Sequence, residues 1–143
     1  MLSIALHLKL AGISMLLLSL VHIIFPRYFH WKNELAPLSL INRQLMYVHT
    51  FFVALVVFLI GALCTFGTSA LLLPSLLARY ISLGLAAFWG LRLFFQLGVY
   101  SRKLWQGKAF ETSVHILFTF VWIYYTGIFI WIYVRQTGFI ISE

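Results

Sequence analysis

Four stretches of this chain, at about 4–25, 42–66, 76–100 and 112–134, are almost purely apolar. Each is long enough to cross a bilayer, which takes roughly 20 residues of helix. No other feature narrows the fold so far. In hydrocarbon the backbone N–H and C=O groups meet no water, so each stretch must satisfy its own backbone as a helix. The sequence therefore predicts an all-α integral membrane protein, a four-transmembrane-helix bundle forming a single membrane domain over 1–143. The turns are "GTS" at 67–69 and "QGK" at 106–108, and Pro74 opens the third stretch.

Composition points the same way. The chain is 63% hydrophobic and 9% charged, with a mean hydropathy of +1.01. A soluble domain of this size carries roughly 25% charged residues. The single cysteine, Cys64, excludes an intrachain disulfide framework and any CxxC redox or zinc motif. The first stretch has no basic segment before it and no small-x-small site after it, so it reads as a retained helix rather than a signal peptide.

The net charge of +7 sits mostly in two loops, which fits membrane orientation rather than nucleic-acid binding. Arg27, Lys32, Arg43, Arg102, Lys103 and Lys108 lie on one side, against Lys9, Arg79 and Arg135 on the other. Six against three predicts a multi-pass protein of the bacterial inner membrane, with both long loops in the cytoplasm and both termini outside it. Tyr28, Trp31, Tyr100 and Trp105 suit the headgroup level, and the segment "RYFHWKNELAPLSL" is expected to lie partly along the interface.

The polar residues inside the four stretches fall at one depth. His22, His49, Arg92, Gln96 and His115 come out about 5–12 Å inside the predicted cytoplasmic helix ends, at 1.5 Å per residue, and Asn42 lies at such an end. They also fall on helical stripes: Gly12, Met15, Ser19, His22; Asn42, Met46, His49; Leu85, Trp89, Arg92, Gln96; and Thr112, His115, Thr119, Trp122, Thr126. A polar stripe facing lipid is costly, so these faces are expected to turn inward. Gly84 and Gly90 are expected to let the third helix approach a neighbour closely.

His22, His49 and His115 could ligate a metal or a haem iron through neutral imidazole, or could simply bond between helices. Arg92 has no carboxylate within eighteen residues on either side. Its charge therefore calls for Glu111, for a bound anion or polarised oxygen, or for snorkelling to the surface. Trp89 and Trp122 lie on the polar stripes, where they could stack on a flat ligand. No carboxylate pair, Ser/His/Asp set or Gly-rich phosphate loop is present, and nothing establishes catalysis.

The leading expectation is a buried site near the cytoplasmic face made of His22, His49, Trp89, Arg92, Gln96, His115 and Trp122. Its ligand would be haem b or a quinone, held for electron transfer or cofactor handling. The alternatives are an accessory or assembly subunit of a larger membrane complex with no ligand, or a small oligomeric transporter or lipid-binding protein. Expected partners are the lipid bilayer and another membrane subunit or further copies of the chain, with no nucleic acid. In architecture the chain resembles small four-helix membrane proteins of the respiratory and haem-handling kind. The pattern H-x6-W-I-Y-Y-T-G at 115–127 is similar to the last helix of a family of small membrane proteins linked to cytochrome oxidase assembly, and "NRQLM" at 42–46 resembles the same group.

Overall fold

In the computed structural model, which describes residues 3–141 with side chains through Gly138, the chain is 84% helix and holds no strand among the described residues. Four helices are long and apolar enough to cross a membrane: α1 (Ile4–Val21), α4 (Leu40–Phe66), α6 (Leu76–Gly98) and α7 (Ala109–Ile141). Between them lie the short helices α2 (Phe25–Tyr28), α3 (Trp31–Glu34) and α5 (Thr68–Leu72), and a 3-10 turn at Arg102–Leu104.

The helix ends have local causes. Ser3 and Ser75 each accept a hydrogen bond from a first-turn amide, Leu6 N–H at 3.3 Å and Ala78 N–H at 3.1 Å. The first helix stops at Val21 rather than near 25 because Pro26 cannot donate to the carbonyl one turn back and crowds it. Pro26 instead sits in the first turn of α2, where its missing N–H costs nothing. The last helix runs well past both expected ends, from 109 to 141 rather than 112 to 134. Apolar content shows where hydrocarbon could end, but no proline interrupts this segment and Arg135 is a good helix former, so the helix continues.

The chain divides into two compact units, Met1–Thr68 and Ser69–Glu143. In the first, α1 packs antiparallel on α4 at a point where the two backbones touch. A Cβ added at Gly61 would meet Gly12 O at 2.9 Å and Leu16 N at 3.0 Å, and one added at Gly12 would meet Gly61 O at 2.8 Å and the Thr65 hydroxyl. Around this crossing the buried residues are Leu8, Ala11, Met15 and Ser19 of α1 and Val57 and Cys64 of α4. The neighbouring hydroxyls are satisfied within their own helices. Ser19 donates to Leu16 O at 2.6 Å, Thr65 to Gly61 O at 2.8 Å and Thr68 to Cys64 O at 2.6 Å. Small, self-satisfied residues let dispersion forces hold the helices where water does not drive them together.

In the second unit α6 packs antiparallel on α7. The α6 stripe of Ala78, Ser82, Ala86 and Trp89 is buried, and α7 buries Trp122, Tyr125, Phe129 and Ile132. At the far end from the 99–108 loop, the buried Gln136 donates to Leu71 O at 2.6 Å. The expectation for Gly84 is not met, since nothing lies within 4 Å of a Cβ placed there, and at Gly90 a Cβ would make only ordinary contact with Thr126 Cγ2 at 3.7 Å. Here a large-to-small fit replaces close backbone approach, because the α7 aromatics already fill the space between the helices.

Candidate functional site

The polar stripes expected on the third and fourth spans meet at the loop end of the α6–α7 pair. Arg92 and Gln96 are one turn apart on α6, and Arg92 Nη1–H donates to Gln96 Oε1 at 3.2 Å. The Gln96 side chain is buried, and its Nε2 lies 2.8 Å from His115 Nδ1 on α7. These two contacts fix the hydrogens of all three groups. A guanidinium only donates, so the amide oxygen faces Arg92 and the amide N–H faces His115. His115 Nδ1 must then accept, which leaves the proton on Nε2. Arg92 thus sets the tautomer of a histidine on another helix through one intervening amide.

Aromatic rings close the site. The Arg92 Cζ lies 4.9 Å from the centroid of the Trp122 ring and 5.7 Å from that of Tyr100. Trp122 stacks on Trp89 with centroids 5.2 Å apart and planes 12° apart. Trp105 stacks face-on against His115, at 3.8 Å and 12°. The loop is held for this purpose. The Thr112 hydroxyl donates to Trp105 O at 2.7 Å, and Gly107, at φ +79°, takes the left-handed turn that carries the chain back over α7.

The arginine does not take the acid that the sequence offered it. Glu111 is exposed in the first turn of α7 and is not among the contacts of Arg92. Placing a guanidinium inside a spanning helix costs roughly 2.5–3.5 kcal/mol. A desolvated cation–π contact returns about 2 kcal/mol, and a hydrogen bond to a charged group about 1.5–3 kcal/mol. Together these contacts are of the size of that cost and involve no acid.

Among the described residues, three buried side-chain atoms have no hydrogen-bond partner: Gln136 Oε1 at the far end of the pair, and two indole donors nearer the loop. Trp89 Nε1 and Trp122 Nε1 are buried without a hydrogen-bond partner. Each such orphan costs about 1–3 kcal/mol. Among the described residues no hydrogen bond reaches His115 Nε2–H, and Arg92 has spent one of its N–H groups on Gln96. Every one of these groups donates.

The remaining expected residues belong to the other unit. His22 is half-buried, with Nδ1 2.9 Å from Leu18 O one turn back and its ring 4.7 Å from that of Phe25. His49 is exposed on α4, as are Asn42 and Met46. That stripe is not the surface on which α4 meets α1, which is made by Val57, Gly61 and Cys64. Among the described residues, neither unit gathers three or more His, Cys, Asp or Glu placed to hold a metal ion.

The contacts of Tyr100 with Arg92 and of Trp105 with His115 were not apparent from the sequence. The one signal for their placement was Gly107 in the "QGK" turn, which permits the chain reversal without dictating it. Comparison with family models, with curated proteins and with solved structures finds no match to this chain.

Proposed function

We propose that this chain is a multi-pass protein of the bacterial inner membrane whose α6–α7 pair binds the carbonyl oxygen of a quinone near the cytoplasmic face. The carrying observation is the relay from Arg92 through Gln96 to His115, which leaves the His115 Nε2–H and further Arg92 N–H groups to donate. A quinone supplies a flat ring for the Trp and Tyr surfaces and carbonyl oxygens for the N–H groups. Arg92 would also favour negative charge growing on such an oxygen, so the site suits cofactor handling or a step in electron transfer. Haem b is the poorer fit at His115. An axial ligand needs a lone pair facing iron, and the relay spends the Nδ1 lone pair on Gln96 while keeping Nε2 protonated.

Protein purified in mild detergent should show no Soret absorption, and its organic extract should contain quinone in near-stoichiometric amount by mass spectrometry. A Soret band lost on His115→Ala would replace this reading with the haem one. An extract free of quinone would end it.

Membrane insertion rests on the four apolar helices and on surfaces such as Phe51, Phe66, Leu77 and Phe120, all well exposed to whatever surrounds the protein. The Lys and Arg distribution supports an orientation with both termini outside the cytoplasm. In a Cys64→Ser background, Ser142→Cys should react with an impermeant maleimide in intact cells and Ser101→Cys should not. The opposite pattern would invert the orientation and move the site to the outer face.

A further inference from the structure

The stretch between α1 and α4 carries a second surface; we infer that it binds the anionic phospholipid headgroups of the leaflet it meets. The inference rests on the insertion of α1 and α4 in a bilayer and is independent of the quinone. If both helices span, residues 22–39 leave and re-enter the membrane at a single surface. Two features fix how this segment lies against α4. His30 takes φ +49°, a left-handed step that residues other than glycine rarely make. It separates α2 from α3, so the chain turns back instead of running on as one helix. Trp31, directly after the turn, sets its ring edge-on to Tyr47 with centroids 5.3 Å apart. Tyr47 closes the second turn of α4, about 10 Å from its start at 1.5 Å per residue. The contact holds α3 along the spanning helix, at the depth where hydrocarbon gives way to headgroups.

The segment offers two kinds of group there. Ile23, Ile24, Tyr28 and Phe29 are each half or more exposed. Arg27 and Lys32 are exposed, and Arg43, in the first turn of α4, is half-buried. The segment's single acid is Glu34, and among the described residues no carboxylate pairs with any of the three cations. Apolar side chains and unpaired cations need different surroundings. Both are met where anionic headgroups overlie acyl chains, whereas a soluble acidic partner meets the charges alone. Each Lys or Arg at an anionic membrane surface strengthens association by about fivefold.

The test uses the full-length protein in vesicles, in a Cys64→Ser background with a fluorophore on Ala36→Cys, an exposed position just after α3. The vesicles mix phosphatidylcholine and phosphatidylglycerol in one fixed ratio. A nitroxide high on an acyl chain is carried by one lipid or the other, at equal mole fraction. The expected result is stronger quenching by the phosphatidylglycerol, equivalent to an association at least about fivefold above that of phosphatidylcholine at low salt. The preference should shrink as salt is raised. Arg27→Gln, Lys32→Gln and Arg43→Gln together should abolish it, and Arg27→Lys with Arg43→Lys should keep it. Equal quenching in the unmodified protein overturns the inference and leaves insertion standing. Loss of the preference in the charge-keeping variant overturns its electrostatic basis. Quenching by neither lipid puts the segment away from the bilayer and overturns it as well. Protein that does not enter vesicles refutes the membrane reading of α1 and α4, and the inference with it.

Discussion

Arg92→Gln is expected to strip the ligand from the purified protein while the helices still form. The two roles of Arg92 separate cleanly here. Its charge is balanced internally by Gln96 and by the Trp122 and Tyr100 faces, so removing the charge also removes the cost of burying it. The helical pair should assemble with an unchanged far-ultraviolet spectrum. The relay, however, loses its source of direction. A glutamine at 92 can offer Gln96 either its oxygen or its N–H, so the amide no longer points one way and the His115 tautomer is no longer fixed. The site also loses its only permanent positive charge against a polarised oxygen. Retained quinone, measured by mass spectrometry per mole of protein, should fall at least about tenfold, since a hydrogen bond to a charged group is worth about 1.5–3 kcal/mol. Adding Glu111→Gln to Arg92→Gln should restore nothing, because Glu111 is not a partner of Arg92. Recovery in the double variant would show that the two residues pair in the membrane.

Gly61→Leu is expected to give the largest loss of stability, and it acts in the other unit. The Cβ at 61 already meets backbone atoms of α1 at 2.9 and 3.0 Å, and backbone cannot step aside as a flexible side chain can. The leucine branch must push α1 away along the whole α1–α4 contact, where dispersion is the main attraction. Overpacking of this kind costs about 1–3 kcal/mol, and backbone contact puts Gly61→Leu at the upper end. Reversible unfolding in mixed detergent micelles should show a loss of at least about 2 kcal/mol on that basis. Gly84→Leu is the control, with open space where its Cβ would stand, and should lie near zero. Equal effects at the two glycines would contradict the helix contact described here.

Much of the second unit was legible in the sequence. A spacing of three and four residues put Trp89, Arg92 and Gln96 on one face of α6 and His115, Thr119 and Trp122 on one face of α7, and the polar content of those faces made burial the economical outcome. The relay itself was not legible, because hydrogen-bond direction depends on which atoms of Gln96 face which neighbour. Nor was the aromatic lid. Trp105 reaches His115 through a left-handed turn at Gly107 and a Thr112 hydroxyl bond, and neither leaves a periodic trace. In the first unit, the polar stripe of α4 is not the surface that meets α1. Asn42, Met46 and His49 lie in its first turns, where a polar side chain near a helix end can find water or headgroups without turning inward. The real contact surface lies further along, at Val57, Gly61 and Cys64. Its key is a glycine in α4 facing a glycine in α1, a pairing that no motif within either helix could show. The glycines that were close in sequence, Gly84 and Gly90, drew attention to the wrong helix.

The proposed site holds a carbonyl oxygen through donors oriented by Arg92. The infrared carbonyl stretch of a ¹³C-carbonyl-labelled quinone bound to the protein reads that contact directly. The account predicts that one of its two carbonyl bands lies at lower frequency than in detergent alone, and that this shift disappears in Arg92→Gln. Two carbonyl bands at the free-quinone frequency in the unmodified protein would contradict it.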